Sequence, residues 1–285
     1  HSALLVVLVS AAVAGGVGVF AYGAACIRSG IFVRAVCRLP QDRSLLPFRL
    51  PDEQRILLTF DDGPDPDVTP RVLDVLERHG HRAIFFIIGS KAEAHPDLVR
   101  EIVRRGHIVG NHTYAHSPWA NFLGSRHLIR DIERTDDAIE KACGVRPKLF
   151  RPPLGVSPHF LRKVVRQTGH VVVGWDVRSL DTRLEPHDVI MSRIAKGLHS
   201  GSIVLLHDRL PGADSLAEAT LSPLWLIEPN VVAALFSPPN SVITLTINAA
   251  EQDAFTRVLP GSFFVCVDSS VFRYICLEQP SQNSH

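Results

Sequence analysis

The sequence predicts an α/β domain in which parallel strands alternate with helices. Short apolar runs and amphipathic helical patterns take turns from Arg55 to Asp208. The 285-residue chain is 46% hydrophobic and 21% charged, so it can bury a large core. Strands that are joined through helices imply right-handed crossovers between parallel neighbours. Because six such strands follow one another, we expect a closed or nearly closed barrel, with a doubly wound sheet as the alternative.

Each predicted strand is a short apolar run, and each predicted helix is an apolar stripe with a recognisable start or stop. The strands cover residues 55–60, 83–88, 107–110, 149–151, 170–177 and 202–206. The helices begin at capping or proline residues, and most end at glycine. They cover residues 69–80, 96–106, 125–143, 157–169 and 186–198. The weaker pattern beyond Asp208 predicts a loop over 210–223, a helix over 231–236, a strand over 242–247 and a hairpin from 263–267 and 271–276.

The N-terminal region predicts a transmembrane helix. The stretch from Ala3 to Cys26 carries no charged residue. At ~1.5 Å per residue it would cross a ~30 Å hydrocarbon core. A signal peptide and a buried globular helix are the alternatives. Because the chain begins at His1 and not at methionine, we expect an upstream segment.

The predicted organisation has four parts. These are a transmembrane helix over 1–27, a juxtamembrane linker over 28–54, the main domain over 55–225 and a C-terminal segment over 226–285 that could complete the barrel. The 30 Lys and Arg against 29 Asp and Glu give a formal charge of +1, which excludes a global basic field for nucleic acid. The five cysteines contain no CxxC pair, which excludes zinc ribbons and thioredoxin-type redox sites.

Polar side chains follow successive predicted strands at their carboxyl ends, where a parallel barrel builds its active site. In chain order they are Asp61 and Asp62, His112 and His116, Arg151, Trp175 and Asp181, and His207. Two histidines at i and i+4 share one helical face and can bind one metal ion. One carboxylate with two imidazoles and an open position is typical of catalytic zinc. Each motif alone is more often structural, but their common position favours a single site.

Four of these motifs together resemble those of the polysaccharide deacetylase family (the NodB-homology domain, carbohydrate esterase family 4). They are residues 59–64, 112–116, 151–155 and 205–207, within a match from Ile56 to Asp208. The resemblance implies a distorted (β/α) barrel of the NodB-homology type. It also implies metal-dependent removal of N-acetyl, or sometimes O-acetyl, groups from glycans. Residues 27–37 resemble the lead-in of membrane-anchored bacterial members.

The resemblance implies a role for each matching residue. Asp62, His112 and His116 would bind a divalent metal, most simply zinc. Asp61 would be the general base that takes a proton from the attacking water, and Arg151 would keep it ionised.

On the leaving-group side, His207 would protonate the departing amine, and Asp181 would orient His207. The metal and the backbone N–H near Leu154 would hold the oxyanion, and Leu205 would line the acetyl pocket. Trp175 either stacks on a sugar ring or packs in the core. Arg178 either contacts substrate or forms a structural ion pair.

Two departures leave the substrate class open. Many family members carry an aromatic residue at the position of Leu154 and a tryptophan at that of Thr182. We predict a hydrolase that removes N-acetyl groups from a chitin-like oligosaccharide or peptidoglycan. The alternatives are a deformylase or deacetylase of a lipid-linked amino sugar, an idle membrane-tethered glycan-binding protein, and a metal-storage protein.

Two features of the sequence disagree about the side of the membrane on which the main domain lies. Five arginines between Arg28 and Arg49 follow the apolar stretch with only Asp42 among them, which favours a cytoplasmic flank. A polysaccharide substrate favours the outside of the cell, and we expect the domain there. No protein partner follows from the sequence.

Overall fold

The computed structural model describes residues 15–46, 50, 55–117, 123–183, 185–221, 243–245, 264–268 and 271–274. Its main sheet consists of β1 (Leu57–Gly63), β2 (Ile84–Ile87), β3 (Ile108–Asn111), β4 (Leu149–Phe150), β5 (Val171–Val172), β6 (Val177–Arg178) and β7 (Ile203–His207). The helices are α1 (15–25), α2 (Thr69–Arg78), α3 (Gly89–Ala94), α4 (Pro96–Arg104), α5 (Ser125–Cys143), α6 (Leu161–Thr168), α7 (His187–Gly197) and α8 (Ala213–Leu221).

The seven strands are parallel and follow the order β5-β4-β3-β2-β1-β7-β6. The two edge strands, β5 and β6, are joined by residues 173–176 alone. A flat sheet of this order would separate them by ~29 Å, at ~4.8 Å per strand spacing. The connection from Val172 to Val177 can reach only ~18 Å when fully extended. The sheet must therefore curl, which gives the nearly closed barrel that the sequence predicts and excludes the doubly wound alternative.

The seam between the two edge strands is covered by a segment from far upstream. Val36 forms a parallel bridge with Val173, and Arg38 forms an antiparallel bridge with Ser202. The Val36 N–H donates to the Val172 carbonyl (2.9 Å), and the Gly174 N–H donates to the Val36 carbonyl (2.9 Å). Part of the segment predicted as a linker thus pairs with the barrel on both sides of its opening.

Alternation along β1 divides its side chains between the core beneath the helices and the interior of the barrel. On β1, Leu58 and Phe60 point outward into the core beneath the helices. Leu57 points the other way, and the two-residue period places Thr59 and Asp61 on that same inner face. The strand thus directs a carboxylate into the barrel while it buries apolar side chains outside.

Three elements differ from the sequence predictions, and one of them, α3, was not predicted. The predicted strand over 170–177 is divided into β5 and β6, because residues 173–176 cross the seam and bond there to Val36 and Arg151. The predicted loop over 210–223 contains α8, whose Leu216 and Leu221 are buried in the outer core. The segment begins with Pro-Gly and contains Asp and Ser, which are typical of turns. The prediction of a loop gave too little weight to its apolar positions.

The C-terminal strands form a second, antiparallel sheet. It contains β8 (Ile243–Leu245), β9 (Phe264–Asp268) and β10 (Val271–Tyr274) in the order β8-β10-β9. The predicted strand and hairpin in this region are confirmed. The predicted helix over 231–236 lies outside the described residues.

The predicted membrane span is described only in part, since the structure begins at residue 15. Within the described ranges, no helix has both the length and the apolar character needed to cross a bilayer.

The packing inside the sheet predicts that Gly110→Ala destabilises the barrel. A Cβ at Gly110 would lie 2.6 Å from two ring carbons of the buried Phe86. We expect a loss of ~1–3 kcal/mol, which lowers Tm by several degrees at roughly 2–4 °C per kcal/mol. The matched control is Gly197→Ala at the end of α7, whose Cβ would meet Val177 at ordinary distances of 3.4–3.9 Å. Equal Tm shifts in the two variants, measured by calorimetry, would contradict this packing.

Candidate active site

A cavity of about 180 Å³ opens at the carboxyl ends of the strands, and most of the predicted site residues line it. Those at its wall are Asp61, Asp62, His112, His116, Leu154, Trp175, Leu205 and His207. Arg151 and Asp181 lie behind it, bonded to Asp61 and His207. The structure thus brings together ten residues that are scattered over almost 150 positions of the chain.

Arg151 is completely buried and uses its guanidinium on four acceptors. Its Nη1 donates to Asp61 Oδ1 (2.7 Å) and to Thr59 Oγ1 (2.7 Å). Its Nε and Nη2 donate to the carbonyls of Val173 (3.1 Å) and Gly174 (2.7 Å), on the chain that crosses the seam. A buried carboxylate is stable as an anion only when it is paired, and Arg151 supplies that pair.

Asp62, His112 and His116 form a group that could hold a metal ion. One ligand atom from each lies within 4.8 Å of the others. Asp62 Oδ1 is 3.1 Å from His116 Nε2 and 3.4 Å from His112 Nε2. This buried oxygen has no hydrogen-bond partner. His112 Nδ1 lies 2.7 Å from the Arg151 carbonyl, which fixes the proton on Nδ1 and leaves the Nε2 lone pair free. An orphaned carboxylate oxygen beside two imidazoles fits a divalent metal.

The charge states of these groups suit metal binding. Burial raises the pKa of Asp62, but the neighbouring His112 and His116 lower it by more and hold it well below its usual range. Burial, followed by the charge of His112, lowers the pKa of His116. Asp62 is therefore an anion and His116 a neutral imidazole at neutral pH, which are the forms that bind metals.

The two histidines converge through a loop, and the predicted helical face is wrong. Thr113 and His116 both have positive φ angles, of 66° and 48°, which no right-handed helix contains. The Thr113 N–H donates to Asn111 Oδ1 (2.9 Å), and the Tyr114 N–H donates to Asp131 Oδ2 (3.0 Å). These side-chain acceptors compete with helical bonds and fold the loop back on itself.

His207 is held by Asp181 at two points. His207 Nδ1 lies 2.8 Å from Asp181 Oδ1, and the His207 N–H donates to Asp181 Oδ2 (2.9 Å). Ser179 Oγ also donates to Asp181 Oδ1 (2.9 Å). Burial lowers the pKa of His207, but the hydrogen bond and the charge of Asp181 outweigh it and raise that pKa. This favours the protonated imidazole of His207, which is the register partner of Asp61 on the adjacent strand.

Sequence reasoning missed two cations that hold Asp62. Arg209 Nε donates to Asp62 Oδ2 (2.7 Å), and Lys91 Nζ donates to the Asp62 carbonyl (2.6 Å). Asp62 itself has a φ of 73°. Two adjacent carboxylates at a strand end need cations nearby, so the Asp61-Asp62 pair itself points to such residues. Arg209 also follows the His207-Asp208 pair at a strand end, which was a usable signal.

Asp208 is a buried support of the strand end. Its Oδ2 accepts a hydrogen bond from Thr69 Oγ1 (2.6 Å). Burial raises its pKa to about 7. The position facing it must be glycine, because a Cβ on Gly63 would lie within 2.2–2.5 Å of the carboxyl group. Asp208 thereby fixes the turn that follows Asp61 and Asp62.

The predicted substrate wall has one exposed and two buried members. Leu154 has a φ of 61° and is 60% exposed at the cavity mouth. Leu205 is buried at the wall. Trp175 is only 9% exposed and packs so closely on Gly155 that a Cβ there would lie 2.4 Å from its ring. One edge of Trp175 still reaches the cavity.

The chain is similar in sequence to known deacetylases. The sequence profile described as polysaccharide deacetylase matches residues 49–173. A chitooligosaccharide deacetylase of Sinorhizobium fredii is 38% identical over 168 residues, which cover 59% of this chain and 77% of the relative. A peptidoglycan-N-acetylglucosamine deacetylase of Bacillus cereus is 33% identical over 156 residues, or 55% of this chain and 56% of the relative. This chain thus spans little more than half the length of that relative.

The solved structures support the same grouping. The peptidoglycan deacetylase PdaC from Bacillus subtilis superposes with a TM-score of 0.57 at 32% identity. The superposition covers 61% of this chain and 84% of that one.

The contacts of His207 predict that Asp181→Asn lowers its pKa. Losing the carboxylate removes the interaction that raises this pKa above its ordinary value of about 6.5. In the native protein this interaction stabilises the fold at pH values below the unfolded-state pKa of His207. That stabilisation disappears as the pH rises through the folded-state pKa of His207. The variant should therefore lose more stability at pH 5 than at pH 9. The measurement is NMR titration of the His207 imidazole in metal-free protein. Asp188→Asn, an exposed change on α7, is the control, and an unchanged His207 pKa in Asp181→Asn would refute the assignment.

Proposed function

The chain belongs to the polysaccharide deacetylase family, and from this premise we propose that it hydrolyses N-acetyl groups of amino sugars in peptidoglycan or a chitin-like oligosaccharide. One observation carries the proposal. A cavity holds a paired carboxylate, Asp61, and a paired imidazole, His207, around a group of Asp62, His112 and His116. Relatives that share the fold are named as deacetylases of these glycans.

Amide hydrolysis needs an activated water, a polarised carbonyl and a proton for the leaving nitrogen. Asp62, His112 and His116 would hold a divalent ion, which when bound would polarise the acetamide carbonyl and lower the pKa of water. We propose zinc, because one carboxylate and two imidazoles with an open position suit it.

Asp61 and His207 supply the proton transfers in this proposal. Arg151 occupies Asp61 Oδ1, which leaves Oδ2 to take the proton of the attacking water. His207, kept protonated by Asp181, donates a proton to the nitrogen as the amine leaves. Leu205 lines the part of the wall where the acetyl methyl would rest.

A second candidate is a deacetylase or deformylase of a lipid-linked amino sugar. It is favoured by the exposed aliphatic Leu154 and by Thr182, which leave Trp175 as the aromatic side chain among the lining residues. Such a wall offers little stacking surface to a long polysaccharide. A glycan-binding protein without catalytic activity would not need two separate ion pairs in its cavity, Arg151–Asp61 and His207–Asp181.

The proposal predicts that Asp61→Asn and His116→Ala fail in different ways. In Asp61→Asn the base is lost and turnover falls by roughly 10²–10⁴-fold, while zinc content stays close to that of the wild type. In His116→Ala a ligand is lost, so zinc content falls with activity. The measurements are acetate release from N-acetylated oligosaccharides and metal analysis of the purified protein. A chelator should abolish wild-type release. Equal zinc loss in both variants would contradict the assignment of Asp61 as the base.

We propose further that the domain works outside the cell against the membrane surface. Peptidoglycan lies outside the cytoplasmic membrane, which supports that side. The helix α1 exposes Val17, Val19, Phe20 and Tyr22, and Phe20 packs beside Phe32 (5.1 Å between ring centroids). Between Lys141 and Trp175 the sequence has no acidic residue. An apolar helix beside a basic face is the combination that binds an anionic bilayer.

The basic face lies next to α1 on helix α6. Arg162 donates to the Phe32 carbonyl (3.2 Å), and Lys163 and Arg166 are exposed on the same helix. We predict that Lys163→Glu/Arg166→Glu weakens binding to phosphatidylglycerol vesicles by roughly tenfold or more, at ~1 kcal/mol per charge. The control is Arg126→Glu/Arg130→Glu on the exposed face of α5. Vesicle co-sedimentation in low and high salt measures the effect. Equal losses for the two pairs, or none, would refute the basic face.

A further inference from the structure

We infer that the cavity takes an amino sugar that carries an anionic group, a carboxylate or a phosphate, and that Arg178 binds this anion. The inference rests on the proposed function, because it concerns the substrate of the same cavity. It goes beyond that function in naming a charge that the glycan must carry and the residue that recognises it.

Arg178 is a cation of the cavity wall that pairs with no carboxylate among the described residues. It lies at the end of β6, paired in register with Leu205, and its side chain is exposed to the cavity. Within the described part of the chain, no carboxylate oxygen comes within 4.0 Å of its guanidinium. The structural ion pair that was one reading of this residue is therefore not formed there.

The carboxylates of the cavity are already engaged by other cations. Arg151 holds Asp61, and Arg209 holds Asp62. The neighbours that complete the mouth near Arg178 are Leu180 and Thr182, which carry no charge. Among the described residues, Arg178 is thus a positive charge of the cavity wall that no carboxylate neutralises. The hydroxyl groups of a neutral sugar can accept its hydrogen bonds, but only an anion also pairs with its charge.

The guanidinium is also oriented. Its Cζ lies 5.9 Å from the centroid of the Trp175 ring, and Gly155 and Arg151 pack against that same ring. A guanidinium held beside an indole ring keeps its planar set of donors available. Carboxylates and phosphates bind such a planar donor set with two parallel hydrogen bonds. An anionic group near the acetamido sugar, such as the lactyl carboxylate of a muramic acid or the phosphate of a sugar 1-phosphate, meets this requirement.

The test compares substrates that differ only in charge. Zinc-loaded wild type and Arg178→Gln would each be given a disaccharide with N-acetylmuramic acid, the same disaccharide with its carboxyl reduced to an alcohol, N-acetylglucosamine 1-phosphate and neutral chitobiose. We expect Arg178→Gln to lose about tenfold to a hundredfold in kcat/KM on an anionic substrate, as for one charge-assisted hydrogen bond. On the neutral and reduced substrates we expect a change below about twofold. The carboxylate and phosphate arms distinguish the two sources of the anion.

A binding measurement separates this inference from the proposed function. Calorimetric titration of the same anionic sugars into chelator-treated protein reports recognition without turnover. We expect Arg178→Gln to weaken this binding, Arg178→Lys to restore part of it and Arg130→Gln, an exposed change on α5, to leave it unchanged. Equal losses on charged and neutral sugars, or no loss on either, would overturn the role of Arg178. Absence of acetate release from every substrate in the wild type would refute the deacetylase proposal, while the binding result would still stand.

Discussion

The buried guanidinium of Arg151 is the interaction on which the rest of the barrel depends. It joins Asp61 on β1 to the carbonyls of Val173 and Gly174 on the chain that crosses the seam. A charge this deeply buried is tolerated only when every donor finds an acceptor. The same contacts that close the barrel therefore pair a carboxylate at its mouth with a cation. Removing either partner would leave the other charge buried and unpaired, which typically costs ~3–5 kcal/mol.

The two groups proposed for proton transfer, Asp61 and His207, are each paired with a side chain of opposite charge. Asp61 is paired with an arginine, while His207 is paired with Asp181, which raises the pKa of the imidazole. A base and an acid can thus coexist at one pH within one small cavity. The strand register sets their distance apart along the sheet, because Asp61 and His207 are direct partners on the adjacent strands β1 and β7. Backbone pairing, and not side-chain flexibility, puts them opposite each other.

The sequence predicted what depends on local pattern. The apolar run that becomes β1 places Asp61 and Asp62 at its end, and the helix from Ser125 to Cys143 has the predicted bounds, because caps and periodicity are local. It could not predict features that depend on distant partners. The loop of His112 and His116 follows from acceptors on Asn111 and Asp131, and the division of the strand over 170–177 follows from the closure of the barrel. The partner of Arg209, Asp62, lies 147 positions away, so the position of Arg209 at a strand end was the one local sign of its role.

Because an upstream segment covers the seam, the domain cannot be transferred to another protein without that segment. Residues 49–173, which match the family profile, contain neither the upstream segment that pairs across the opening nor β7. Ala24 accepts a hydrogen bond from the Ser157 N–H (2.7 Å), and Val36 and Arg38 bond on either side of the gap. A chimera that transplants the barrel from residue 55 onward would expose these backbone groups and leave a strand edge open. The unit that must be transferred therefore extends beyond the residues that match the family profile. It includes an upstream segment that the family motifs do not indicate.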